Sequence, residues 1–208
     1  MRVFIGYDPR QPVAYQVAAH SVWEHASKPV SITRLDIMQL PIKRVGLTCF
    51  TFTRFLVPYL CGYEGKALFL DSDVLVRGDV HELADFQHVD DANVAMVMGE
   101  RRFEWPSVMW FHNKRCLSLT PEFVEKAPMF DMAWAKIAPL AKEWNHLVGY
   151  DAPNQDAKIV HFTKGIPIWD QTKGCEFAAE WWKTYERSGS SVPFEALMAQ
   201  SVHHQKAG

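Results

Sequence analysis

The stretch "KALFLDSDVLV", residues 66–76, decides how this chain is read. Its apolar run reaches Leu70, two aspartates flank Ser72, and Val74-Leu75-Val76 turns apolar again. A short apolar run bounded by polar residues reads as a buried strand. The aspartates are bracketed by core-like sequence, and buried carboxylates need partners. A divalent cation is an efficient one, because Mg²⁺ and Mn²⁺ favour carboxylate oxygens. Asp71 and Asp73 stand two residues apart, so they face the same way in an extended chain. The competing reading is a solvated loop after a strand.

The flanking segments supply the context. "RVFIGYD" is a first buried strand that breaks at Asp8-Pro9, and "PVAYQVAAHSVWEHA" carries apolar residues at helical spacing. "VSITRLDI" alternates as a second strand, and "TCFTFTRFLVPYLCG" reads as a helix with a break near Pro58. "KALFL" is then a third strand, "DVHELADF" a helical turn and "NVAMVMG" a further strand. Strand alternating with helix predicts an α/β sheet with parallel strands. Ligands of such sheets sit beyond the carboxyl ends of the strands, which puts Asp8 and Asp71/Asp73 on one crevice.

The second half is less regular. "SVMWFHNKRC" reads as a strand, and residues 123–144 as helical pieces broken at Pro128 and Pro139. "AKIVHFTKGIPIW" is a strand running into a loop, and "CEFAAEWWKTYERS" an amphipathic helix. His161 ends that strand-like run. It reads either as a hydrogen-bonded structural residue or as a third metal ligand, and the adjoining Lys164-Gly165 is of the kind a diphosphate uses.

Composition narrows the class. The 208 residues suit one α/β unit, and 48% apolar content suffices for a sizeable core. A net charge of −2 without a basic stripe argues against a dedicated nucleic-acid binder. The four cysteines are scattered, so neither a zinc ribbon nor a disulfide framework is indicated, and a reducing, cytoplasmic setting is expected. No stretch reaches the roughly 18 apolar residues of a membrane span. Nothing marks a domain boundary before Ser188, so residues 1–187 read as one domain and 188–208 as a flexible link with a polar tail.

At these residues the chain resembles the GT-A fold nucleotide-sugar glycosyltransferases, most closely the glycogenin-like and lipopolysaccharide galactosyltransferase-like (family 8 type) retaining group. Four stretches carry the likeness in the family's order: "FIGYDPRQPVAYQVAAHSV", "FTFTRFLVPYL", "KALFLDSDVLVRGDVHELAD" and "VHFTKGIPIW", with "EWN" before the last. The resemblance implies a single Rossmann-like α/β domain with a mixed, mostly parallel sheet flanked by helices. It implies a metal-dependent glycosyltransferase that moves a sugar from a nucleoside-diphosphate sugar, a UDP-sugar first, to a carbohydrate or other acceptor. Asp71, Asp73 and His161 would hold Mn²⁺ or Mg²⁺. Tyr7 and Asp8 would hold the base and ribose, Arg54 would approach the phosphates or sugar, and Ser72, Lys164 and Gly165 would line the diphosphate. No catalytic base is implied.

Three departures bear on the sugar pockets. Arg10 stands where the family usually carries asparagine. The middle strand is opened by "WPSVMWFHNK" rather than Asn-Ser-Gly, and "MFDMAWAK" replaces an Asp-Gln-Asp segment, leaving Asp131 a partial match. Two other functions stay open: an inactive nucleotide-sugar-binding module on the same fold, and a haloacid-dehalogenase-type phosphatase, whose Asp-x-Asp normally lies nearer the N-terminus. Trp105 and Trp110 read as packing residues, with an acceptor platform as the alternative. Arg101-Arg102 reads as a solvated loop. In Trp181-Trp182 one ring is expected in the core and the other at a homo-oligomer contact.

Overall fold

A computed structural model describes residues 1–85 and 91–189. The first strand, β1 (Arg2–Gly6), sends Val3 and Ile5 to one face and Phe4 to the other, and all three are buried. Helix α1 (Pro12–His25) follows, with proline in its first turn, where a missing N–H costs nothing. It covers the Val3/Ile5 face with Ala18 and Val22. The chain returns parallel to β1 as β2 (Ser31–Leu35), an edge strand whose outer residues are largely exposed. Asp79 and the residues around it are reached after β3 (Lys66–Leu70), which lies parallel to β1 on its other side.

Beyond β3 the sheet turns mixed. β5 (Val94–Met96) and β6 (Val108–His112) form, and β6 runs antiparallel to both β3 and β5. β7 (Ile137–Pro139) closes the sheet parallel to β5, giving the order β2-β1-β3-β6-β5-β7. The interior strands are buried on both faces, as strands between two layers should be. The face opposite α1 packs Phe4, Phe69 and Phe111 against Phe55 and Leu56.

A second, small sheet has the order β4-β9-β8, from β4 (Val74–Val76), β8 (His146–Leu147) and β9 (Ile159–His161). The last described helix, Ala178–Arg187, closes a third cluster of the core, with Trp181 fully buried against residues such as Val17 and Leu75. Trp182 is half-buried, and its indole N–H donates to Pro167 O at 2.9 Å. The described residues contain no helix long and apolar enough to cross a membrane. All four cysteines are free thiols. The expected tail, apart from Ser188 and Gly189, lies outside the described residues.

Two sequence expectations are corrected. The predicted helix over residues 48–62 is a tight 3-10 turn, Thr53–Leu56, followed by a single turn of α2 (Val57–Leu60). Pro58 fits only in a first turn, and the segment's β-branched and aromatic residues favour helix poorly. The piece before Pro139 is strand β7, not helix. β7 lies at the end of the sheet, where a proline can be tolerated because one side needs no ladder donor.

Candidate metal and nucleotide site

The two sheets meet at the acidic segment. β3 ends at Leu70, and the Asp71 N–H donates to Ser107 O at 2.9 Å, which carries the pairing one step further. Ser72 and Asp73 turn the chain out of the large sheet and into β4. β4 then pairs antiparallel with β9, so that Val74 lies opposite His161, and Phe162 N–H donates to Asp73 O at 2.9 Å. This pairing is what brings a histidine from late in the chain beside the aspartates. One ligand atom each from Asp71, Asp73 and His161 lies within 4.8 Å of the others. The sequence reading expected an extended chain to align the carboxylates; a turn does so instead.

Burial makes the cluster electrostatically demanding. Asp71 and His161 are buried, while Asp73 is partly open. Desolvation pushes the Asp71 carboxyl up to about 7, against the opposing pull of Arg54. Burial also acts against ionised Asp73, but the charge of His161 outweighs it and holds the carboxyl below its ordinary value. His161 is raised in turn, chiefly by Asp73 working against burial. Asp73 Oδ1 lies 3.5 Å from His161 Nε2, an ion-pair distance rather than a hydrogen bond. Asp71 Oδ1 and Asp73 Oδ1 are buried with no hydrogen bond, each meeting only an ion-pair partner, Arg54 at 3.0 Å and His161 Nε2 at 3.5 Å. Two hard oxygens with spare lone pairs beside an imidazole nitrogen fit a divalent cation such as Mn²⁺.

Arg54 lies inside this arrangement rather than over it. It is 5% exposed, donates to Thr51 O (3.0 Å) and Pro106 O (2.8 Å), and places a third nitrogen 3.0 Å from Asp71 Oδ1. Its guanidinium is thus committed to the protein, and it acts on Asp71.

Of the residues the resemblance assigns to the nucleotide, Asp8 and Ser72 line a small crevice of about 40 Å³ with Arg10, Thr48, Phe50 and Asp73 among others, and Tyr7 lines a separate pocket with Tyr15 and Arg34. Phe50 packs against Gly6, where a Cβ would lie 2.5 Å from its ring. Asp8 is held by its neighbour, accepting from Arg10 Nε at 2.9 Å and from a terminal nitrogen at 2.5 Å, with Cys49 N–H at 3.3 Å. Burial raises the Asp8 carboxyl, yet the Arg10 hydrogen bonds outweigh it and the net shift is downward. Tyr7 sits under the Arg34 guanidinium, 4.3 Å from its ring centre. Lys164 is exposed, with Nζ on Gly149 O at 3.1 Å and 4.7 Å from the centre of the Tyr150 ring. The Gly165 N–H donates to Phe162 O at 2.8 Å, so that donor is already taken, and a φ of 104° is the reason glycine stands there.

Sequence reasoning missed Glu104, whose carboxylate lies 3.9 Å from His161 Nδ1, on the ring edge away from Asp73. It sits in the 3-10 segment Arg102–Ser107, where no motif flags it. Of the two tryptophans nearby, Trp110 is core and Trp105 lines a second cavity. Arg101 and Arg102 are exposed, as expected of a solvated loop, and Arg101 stacks 3.4 Å from the Tyr150 ring centre.

No protein-family model matches the chain. Its backbone is similar to the WbbM bifunctional glycosyltransferase (TM-score 0.67, 16% identity), covering 97% of this chain and 51% of that one. It is equally similar to the galactosyltransferase LgtC solved with donor and acceptor sugar analogs (TM-score 0.66, 14% identity), over 94% of this chain and 98% of that one. The glycosyltransferase GlyE of Streptococcus pneumoniae gives a TM-score of 0.64 at 18% identity, over 99% of this chain and 63% of that one. The chain therefore spans about half of the WbbM chain, and its fold is that of the GT-A-type glycosyltransferases. In sequence it is 32% identical over 236 aligned residues to Protein CDI of Arabidopsis thaliana, covering 94% of this chain and 90% of that protein. Likeness over nearly the whole of both chains makes this protein a member of the Protein CDI family.

Proposed function

We propose that the chain is a metal-dependent glycosyltransferase whose donor is a nucleoside-diphosphate sugar, a UDP-sugar first, and whose acceptor is a carbohydrate or similar hydroxyl compound. The observation that carries this reading is the convergence of Asp71, Asp73 and His161 within 4.8 Å, where the carboxyl end of β3 meets the small sheet. Asp71 and Asp73 supply the oxygens and His161 the nitrogen for Mn²⁺ or Mg²⁺. A bound divalent cation would offset the negative charge that builds on the departing diphosphate.

The chain's own groups have defined tasks around it. Arg54 opposes the protonation of Asp71, keeping a buried carboxylate available as a ligand. Tyr7 and Asp8 take the base and ribose, which requires Arg10 to yield or to share its carboxylate. Ser72 borders the same crevice. Lys164, once off Gly149 O, brings a mobile positive charge to the diphosphate, and Gly165 shapes the turn that presents it. The GT-A fold sets the phosphatase reading aside. Turnover separates an enzyme from an inactive binding module.

Calorimetry with UDP, with and without Mn²⁺, tests the reading, paired with an assay for UDP released from UDP-sugars. UDP should bind tightly only with the metal, and Asp73→Asn should remove the Mn²⁺-dependent part of that affinity. Unchanged affinity in the variant would exclude Asp73 as a ligand. Binding without any UDP release, across donors and acceptors, would select the binding module.

A further inference from the structure

Lys164 is a cation held only by neutral groups. Its Nζ donates to Gly149 O at 3.1 Å and lies 4.7 Å from the centre of the Tyr150 ring. Among the described residues no carboxylate pairs with it, whereas Lys142 is held by Asp151 on the same turn at 2.9 Å.

The place it occupies is shaped for it. Gly149 has a φ of 80°, and a Cβ there would lie 3.2 Å from both Cε and Nζ of Lys164. Glycine thus serves the backbone conformation and the close approach of the lysine stem together. The turn is fixed from several sides. Asp151 N–H donates to Leu147 O at 2.9 Å, and Leu147 N–H donates back to Asp151 Oδ2 at 2.8 Å. Asn154 N–H donates to Glu176 Oε1 at 3.2 Å, and Glu176 Oε2 lies 2.9 Å from Nε2 of the buried His146. The backbone before the lysine is pinned to the same turn. Thr163 Oγ1 donates to Val148 O, and Val148 N–H to His161 O, both at 3.0 Å. What can move is the exposed lysine side chain itself.

Its hold is weak by construction. An exposed cation–π contact is a small interaction. The same ring carries the Arg101 guanidinium 3.4 Å from its centre, a second positive charge that opposes the first. A diphosphate attracts an ammonium far more strongly than a carbonyl and a ring do.

We propose that Gly149 and Tyr150 are positioning residues, forming a resting berth for Lys164 that the lysine leaves when a diphosphate binds. Berth and diphosphate compete for one ammonium, so vacating the berth lowers the apparent affinity for the nucleotide. The proposal rests on the glycosyltransferase reading for the anion that draws the lysine away. The berth itself belongs to the free chain.

Calorimetry of the full chain in Mn²⁺, with UDP and with UMP, tests the competition. Tyr150→Leu removes the ring and keeps an apolar side chain, so UDP should bind about two- to fivefold more tightly than to wild type. UMP affinity should not change, and Tyr150→Phe, which keeps the ring, should match wild type with both nucleotides. On a Lys164→Met background, Tyr150→Leu should leave UDP affinity unaltered. A merely structural role for Tyr150 predicts a loss, equal for UDP and UMP. Tyr150→Leu binding UDP no better than wild type overturns the proposal. So does a gain that persists without the lysine, which would belong to the released Arg101.

A second measurement needs no nucleotide. Lysines carrying ¹³C-methyl groups keep their charge. In the free chain the Lys164 methyl signal should be displaced by the Tyr150 ring current. Tyr150→Leu should return it to the position of an exposed lysine, and UDP with Mg²⁺ should do the same in wild type. A signal indifferent to Tyr150→Leu overturns the berth, and one still displaced with UDP bound overturns its vacating. If wild type binds no UDP with either metal, the glycosyltransferase reading falls, and the methyl signal still decides whether the berth exists.

Discussion

The two edges of the His161 ring face opposite kinds of surroundings. Toward Asp73, nearly every charge has a counter-charge: Arg10 on Asp8, Arg54 on Asp71, and the imidazole itself beside Asp73. Toward Glu104, Asn145 Oδ1 is buried with no partner, Lys142 pairs with Asp151, and Arg101 stacks on Tyr150 with no counter-charge among the described residues. The first side is held together by Coulombic pairing at low dielectric, where a missing partner is expensive. The second is held mainly by packing. Substitutions on the first side should therefore act on stability more than those on the second.

The sharpest break comes at Arg54. Arg54→Met keeps the bulk of the side chain and strands Asp71 in a dry environment. Removing one partner of a buried pair costs about 3–5 kcal/mol. Urea unfolding in the presence of a chelator should show a loss near the lower end of that range, because Asp71, already raised to about 7, can escape by taking up a proton. Arg54→Met combined with Asp71→Asn should recover much of the loss, since no buried charge is then left alone. A double variant no more stable than Arg54→Met would mean that Arg54 works through Thr51 and Pro106 instead.

That asymmetry also separates what the sequence discloses from what it hides. Asp71 and Asp73 are legible because a carboxylate pair between two apolar runs is locally improbable without a purpose. β1, α1, β2 and β3 are legible because strand and helix periodicity are properties of neighbours in the chain. His161 is legible at a strand end, but its approach to Asp73 depends on β4 pairing with β9, which is long-range information. β6 running antiparallel in the middle of the sheet is hidden for the same reason. Glu104 carries no local signal at all, and Asn145 stands out only within the "EWN" of the family likeness: their link comes from one backbone carbonyl meeting one amide across the fold. Arg54 stood out in the sequence as an expected phosphate or sugar contact, and only the packing shows that its charge is directed at Asp71.

The Asp8–Arg10 pair provides a milder test, read through pH. Asp8 has a folded value below its unfolded one, so its contribution is present above the unfolded pKa of about 3.9 and is lost as pH falls through the folded value. Arg10 is partly exposed, at 30% for its side chain, so solvent screening keeps the pair to about 1 kcal/mol. The urea midpoint of Arg10→Met should lie below that of wild type from pH 5 to 7. The two midpoints should converge toward pH 3, where Asp8 is protonated in the unfolded chain and losing its advantage in the folded one. A gap that persists undiminished at pH 3 would assign Arg10's contribution to Leu47 O, its other acceptor, rather than to Asp8.

The smallest effect belongs to Lys164, which joins the two sides. Its Nζ rests on Gly149 O and over the Tyr150 ring, while its proposed task lies with the diphosphate on the charged side. Because it is exposed, Lys164→Met should move the unfolding midpoint by no more than a surface substitution does, within about 0.5 kcal/mol. Its affinity for UDP in Mn²⁺ should nevertheless fall about fivefold to tenfold, close to 1 kcal/mol. UMP, which lacks the second phosphate, should bind the variant and wild type alike. An equal loss for both nucleotides would place the lysine's charge at the first phosphate or the base. No loss for either would leave Lys164 where the free chain has it, bracing Tyr150.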